Sequence, residues 1–117
     1  TLQCISLGVI VTFTGGKQMA LTPEKKVKNK VVAILKKRGA YYFFPATYGM
    51  GRSGVPDVVC CYAGRFIGIE CKAGGNKPTT LQKRELEAIK VAGGLPLIIN
   101  EDNYALINAV LDKLEKQ

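Results

Sequence analysis

The 117-residue chain contains no histidine. That absence removes Ser-His-Asp catalysis, histidine-dependent metal nucleases and zinc sites of the Cys/His kind. Cysteine is scarce too: Cys4, Cys60, Cys61 and Cys71 lie in apolar runs, never in a C-x-x-C spacing. Such placement predicts buried, reduced thiols of an intracellular protein rather than a disulfide framework or a thiolate metal site. Acidic residues are outnumbered, 9 against 17 lysines and arginines, which leaves a net charge of +8. The apolar part of the opening stretch "TLQCISLGVIVTFTGGKQ" is too short to span a bilayer and lacks the basic flank of a signal peptide. Any acid–base or metal chemistry must therefore rest on carboxylates, lysines, tyrosines or backbone oxygens.

What is present is an ordinary globular composition, 47% apolar and 22% charged, in a length that suits one hydrophobic core. Residues 1–18 differ in character from the rest, and Met19 opens a segment that reads like a natural start. We therefore expect an N-terminal extension over 1–18, with no function assigned, and a single domain over 19–117. A small, strongly basic domain points to an anionic partner, nucleic acid before a membrane surface. The plainer alternative is a basic protein with no polyanion to bind.

Thr22-Pro23-Glu24 has the signals of a helix start, and Val27, Val31, Ile34 and Leu35 follow at helical spacing up to Gly39. "AYYFFPA" reads as a strand ending at Pro45, and "TYGMGRSG" as a glycine-rich loop. In that loop Tyr48 is placed either to stack on a base or to cap the core. "DVVCCYAGRFIGIECK" reads as strand, two-residue turn and strand. A helix over about 80–92, the strand "LPLIIN" and an amphipathic helix over 101–117 complete the chain. The fold class expected is α/β, a mixed α+β sheet in the order α-β-β-β-α-β-α with helices packed on it.

Three charges sit oddly in the hairpin: Asp57 opens its first apolar run, and Glu70 and Lys72 interrupt the end of its second. If Ala63-Gly64 is the turn, Tyr62 pairs with Arg65, and counting outward brings residue 57 opposite residue 70. Opposed residues share a face, and so do residues 70 and 72, so the register gathers Asp57, Glu70 and Lys72. Two opposed carboxylates repel unless something lies between them. Either a divalent cation such as Mg²⁺ or Mn²⁺ resolves the conflict, or Lys72 neutralises the pair in a salt-bridge cluster. Two further polar residues fall on helix faces that should pack: Glu24 within the arc of Val27, Val31 and Leu35, and Gln82 between Leu86 and Ile89. A helix-dipole role for Glu24 and a local cap for Gln82 are the alternatives to a shared site.

"GVPDVV", then "IECK", then "TTLQ" opening a helix, resemble the PD…E-x-K nuclease core and, more narrowly, the virus-type replication-repair nuclease (VRR-Nuc) domain. The leading helix with Glu24, the "GRSGVPD" loop and Gln82 follow the same order, over residues 22 to about 100. The resemblance implies a restriction-endonuclease-like core and a metal-dependent DNA endonuclease. It implies that Asp57, Glu70 and the backbone carbonyl of Cys71 ligate Mg²⁺ or Mn²⁺, with Glu24 joining directly or through water. Lys72 would position the attacking water, and Gln82 would orient Lys72 or that water. Small viral members of the family are homodimers that cut branched DNA such as four-way (Holliday) junctions, so a phage origin and action in the host cytoplasm would fit.

DNA contact is expected from charge: Lys25, Lys26, Lys28 and Lys30 on the first helix, Arg52 in the glycine loop, and Lys77, Lys83 and Arg84 near the second helix. Contacts of this kind read phosphates, hence DNA shape rather than a short sequence. The competing class is a basic DNA-binding module that keeps the fold and does no chemistry.

Overall fold

The computed structural model describes residues 21–46 and 49–117, so the expectations for residues 1–18, with Cys4, and for Tyr48 lie outside the described residues. The first helix, α1 (Pro23–Arg38), starts where the capping signals put it. The Thr22 side chain accepts a hydrogen bond from the Lys25 backbone N–H at 3.1 Å, and Gly39 ends the helix in the left-handed region. Val27, Val31 and Leu35, four residues apart, are its buried stripe.

Four strands follow: β1 (Tyr41–Phe43), β2 (Val58–Tyr62), β3 (Arg65–Cys71) and, after helix α2 (Thr80–Val91), β4 (Leu95–Ile99). Helix α3 (Ala105–Glu115) closes the chain. The sheet runs β1-β2-β3-β4, with β1, β2 and β3 antiparallel and β4 parallel to β3. A parallel neighbour needs a crossover, and α2 supplies it. This is the expected α-β-β-β-α-β-α order on a mixed sheet.

The turn register is the one read from sequence. Tyr62 pairs with Arg65 and Val58 with Ile69, around Ala63 at φ 51° and Gly64 at φ 80°. Positive φ at both central residues is the signature of a type I′ turn, whose twist matches that of the strands.

One face of the sheet, with Val58, Cys60, Ile67, Ile69, Cys71 and Ile99, is sealed by Val27, Val31 and Leu35 of α1 and by Ile107, Leu111 and Leu114 of α3. Helix α2 covers the opposite face. Gly68 allows its approach, since a Cβ there would stand 2.6 Å from Ile89 Cδ1 and 3.0 Å from Pro56 Cγ. Strand β3 is thus covered on both faces, and its Ile67–Cys71 run is buried without alternation.

Three expectations need correction. The first strand ends at Phe43 rather than Pro45, because proline restricts the residue before it and cannot donate to a ladder. The last helix begins only at Ala105. Before it, the Asn103 side chain accepts from the Asn100 N–H at 2.7 Å and the Asn100 side chain from the Asp102 N–H at 2.8 Å, an alternative to helix that short polar side chains offer. Cys61 is exposed, on the face away from Cys60, between the exposed rings of Tyr41 and Phe66. Cys60 and Cys71 are buried free thiols, as expected. Among the described residues no helix is long and apolar enough to cross a membrane.

Candidate active site

The ladder ends at the Val58–Ile69 pair, and Asp57 and Glu70 are the next residues outward on its two sides. Asp57 is fixed there by the neighbouring strand: its Oδ2 accepts a hydrogen bond from the Cys71 backbone N–H at 2.9 Å. Glu70 is only 1% exposed, and among the described residues neither of its carboxylate oxygens has a hydrogen-bond donor in good geometry. Its opposite charge is Lys72, itself buried, whose Nζ lies 3.4 Å from Oε2. Burial first, and the Asp57 carboxylate second, push the Glu70 carboxyl up to about 7 despite the opposing pull of Lys72.

Buried polar atoms are nearly always satisfied, and a buried carboxylate whose only support is an ion pair at 3.4 Å is a costly arrangement. Asp57 and Glu70 together form a hard-oxygen donor set of the kind Mg²⁺ and Mn²⁺ prefer, so the residues present fit such a cation. The thiols do not compete for that role. Burial, the larger cause in each, pushes Cys60 up to about 11 and Cys71 up to about 12.

Glu24 reaches the same region from the first turn of α1. With Thr22, Lys25, Lys28, Asp57 and Cys71 it lines a cleft of about 290 Å³. Two of the lysines expected to meet DNA, Lys25 and Lys28, therefore stand on the wall of the cleft that holds Asp57. Lys28 is further steadied by its Nζ, 4.3 Å above the Phe44 ring. Among the described residues no group of three His, Cys, Asp or Glu side chains converges on one point. Asp57 thus links two half-sites, with Glu24 in the cleft and with Glu70 across the hairpin.

Gln82 and Arg52 are engaged elsewhere. Gln82 forms a capping box at the start of α2: its Oε1 accepts from the Thr79 N–H at 2.9 Å, and its own N–H donates to Thr79 Oγ1 at 3.2 Å. Arg52 grips Glu85 with two hydrogen bonds, Nε to Oε1 at 2.8 Å and Nη2 to Oε2 at 2.9 Å. Lys77, Lys83 and Arg84 are exposed around the start of α2. Glu85 was not singled out from sequence, although a signal existed. It lies three residues after Gln82 and four before Ile89, on the packing face of α2, where an acid needs a partner.

No family model matches the chain. A phage protein described as "Putative nuclease p44", from Acyrthosiphon pisum secondary endosymbiont phage 1, is 34% identical over 92 residues, covering 76% of this chain and 95% of the relative. Among solved structures, a "VRR_NUC domain protein" superposes with a TM-score of 0.54 at 19% identity, over 84% of this chain and 89% of that one. The solved structure speaks for the fold, and the phage relative, matched over almost its whole length, for the kinship. This chain therefore belongs to the family of that phage protein described as a putative nuclease, on the fold of a VRR_NUC domain.

Proposed function

We propose that the chain is a metal-dependent DNA endonuclease, with residues 19–117 as its nuclease domain. Its substrate is branched DNA, four-way junctions included, cut by a homodimer in the host cytoplasm. The observation that carries this reading is Glu70: a buried carboxylate with no hydrogen-bond donor among the described residues, one position past the hairpin ladder like Asp57, and beside a buried lysine. A fold maintained for packing alone gains nothing from such a group.

In this reading Asp57, Glu70 and the Cys71 carbonyl hold Mg²⁺ or Mn²⁺, with Glu24 joining directly or through water. A cation bound there acts as a Lewis acid on the phosphoryl oxygens and lowers the pKa of a water. The chain's own groups do the rest. The Cys71 N–H fixes one Asp57 oxygen and so aims the other. Lys72, held 3.4 Å from Glu70, sets a positive charge beside the scissile phosphate and orients the attacking water. With its Oε1 engaged in the cap, Gln82 has only its amide Nε2 to offer the site. Lys25 and Lys28 on the cleft wall, with Lys77, Lys83 and Arg84 at α2, hold the phosphate backbone and read shape rather than base sequence. One site cuts one strand, so symmetric resolution of a four-way junction calls for two copies of the chain.

The test is incubation with labelled four-way junctions, flaps and linear duplex in Mg²⁺, Mn²⁺ or EDTA. Cutting of the branched substrates with either metal, and none in EDTA, is expected. Binding without cutting under every condition would leave a DNA-binding module on a nuclease fold. Lys72→Ala should fall to background; wild-type rates would remove Lys72 from the mechanism. Light scattering of the DNA complex should report a dimer, and a monomer at working concentration would contradict the assembly.

A further inference from the structure

The segment that delivers Asp57 to the site has little of its own to hold it. Residues 49–57 make no strand ladder, and they carry Gly49, Gly51 and Gly54 within six positions. A chain this rich in glycine has much conformational freedom to lose, so the Cys71 N–H that holds the Asp57 carboxylate works best when the loop before it is tied down as well. Upstream of Pro56, two ties among the described residues go to α2. Arg52 meets Glu85 in the two-bond fork described above. Gly54, at φ 77°, lies flat on the main chain of Leu81, where a Cβ would stand 2.7 Å from the Leu81 carbonyl carbon. Leu81 and Glu85 are four residues apart and share one face of the helix. The loop is therefore seated on a single helical face three and five residues before Asp57.

The charges at this seat are also unusual. Glu85 is 8% exposed, although an acid on a surface helix is ordinarily solvated. The Arg52 guanidinium holds its carboxyl below the usual carboxylate range. A carboxylate left unpaired here would be poorly solvated and would also face the path of a polyanionic substrate.

We propose that Arg52 and Glu85 form a clamp which, with the Gly54 seat, fixes the Asp57 loop on α2, so that both are positioning residues of the active site. This takes Arg52 away from the DNA contact expected from its sequence. It rests on the nuclease reading of Asp57 given above. The planar two-bond fork is what makes it a clamp, because it fixes direction as well as distance, which a lysine in the same place cannot do.

Two variants test it. Glu85→Gln leaves Arg52 charged and free for DNA but breaks the fork. Arg52→Lys keeps the charge but not the geometry. For both, amide exchange over residues 51–57, measured on the protein alone, should quicken by about tenfold. Both should also lose about 10²-fold in kcat with KM little changed, the usual consequence of misplacing a catalytic group by about 1 Å. The opposite pattern would overturn the clamp: Glu85→Gln with wild-type exchange and kcat and a lowered KM would mean that the freed arginine serves DNA. Because exchange needs neither metal nor DNA, a wild-type protein that cuts nothing yet shows the loosened loop in both variants would end the nuclease reading and uphold the clamp.

Discussion

The two ends of the β2–β3 hairpin solve different problems with one ladder. At the turn end, Ala63 and Gly64 adopt positive φ, and the one adjoining charge, Arg65, is half-buried with its Nη2 donating to the Gly93 carbonyl at 2.9 Å. At the open end, Asp57, Glu70 and Lys72 are drawn together, and Glu70 is buried without a donor. The turn end serves the fold: it fixes a register and costs little. The open end spends stability on an arrangement that the fold does not need. Because the register is common to both, the cheap end dictates where the expensive one lies.

Breaking the open end should have the largest consequence. Asp57→Ala and Glu70→Gln are each expected to lower kcat by about 10³-fold or more, since each removes part of the charge that stabilises the transition state. Single-turnover cleavage of a four-way junction in saturating Mg²⁺ measures this. Far-UV circular dichroism should show an unchanged fold.

The same carboxylate gives the open end a pH signature that the turn end lacks. Glu70 is raised from 4.5 to about 7, so between those values the folded protein holds a proton that the unfolded chain has released. Its contribution to stability is complete below 4.5 and is lost as pH rises through about 7, on the order of 3 kcal/mol in all. Urea unfolding of the metal-free protein in EDTA at pH 5 and pH 8 should show this loss relative to Glu70→Gln, whose amide does not titrate.

The seat of the Asp57 loop comes next. Gly54→Ala forces a Cβ into the Leu81 main chain at a positive φ, and should cost roughly 2–3 kcal/mol while lowering the cleavage rate. Thermal melting and the junction assay on one preparation would check both. The smallest change is expected at the turn. Ala63→Asn relieves an alanine at φ 51° and should stabilise by about 1 kcal/mol, with cleavage unaltered. A loss of cleavage there would mean that the two ends are less separate than the ladder suggests.

Much of this was legible in the sequence because it depends on neighbours along the chain. Thr22-Pro23 and Thr79-Thr80 start helices through bonds to residues within one turn. Ala63-Gly64 sets a register, and strand alternation carries that register outward to Asp57, Glu70 and Lys72. What was not legible depends on groups far apart in sequence. Gln82 had two reasonable partners, and the local one, Thr79, holds its oxygen. Arg52 looked like a free cation in a loop until α2 packed beneath it and presented Glu85, 33 residues away. Cys61 looked apolar and buried, but it lies exposed between Tyr41 and Phe66 on the face away from Cys60.

The sequence by itself determined the order of elements, the hairpin register and the meeting of Asp57 with Glu70 and Lys72. Each follows from backbone geometry with a fixed period, which side-chain identity only has to respect. The tertiary structure alone decided how deeply Glu70 is buried, that Glu24 shares a cleft with Asp57, and that Arg52 is joined to Glu85. Those outcomes depend on where separate elements come to rest against one another, and packing of that kind has no period to read.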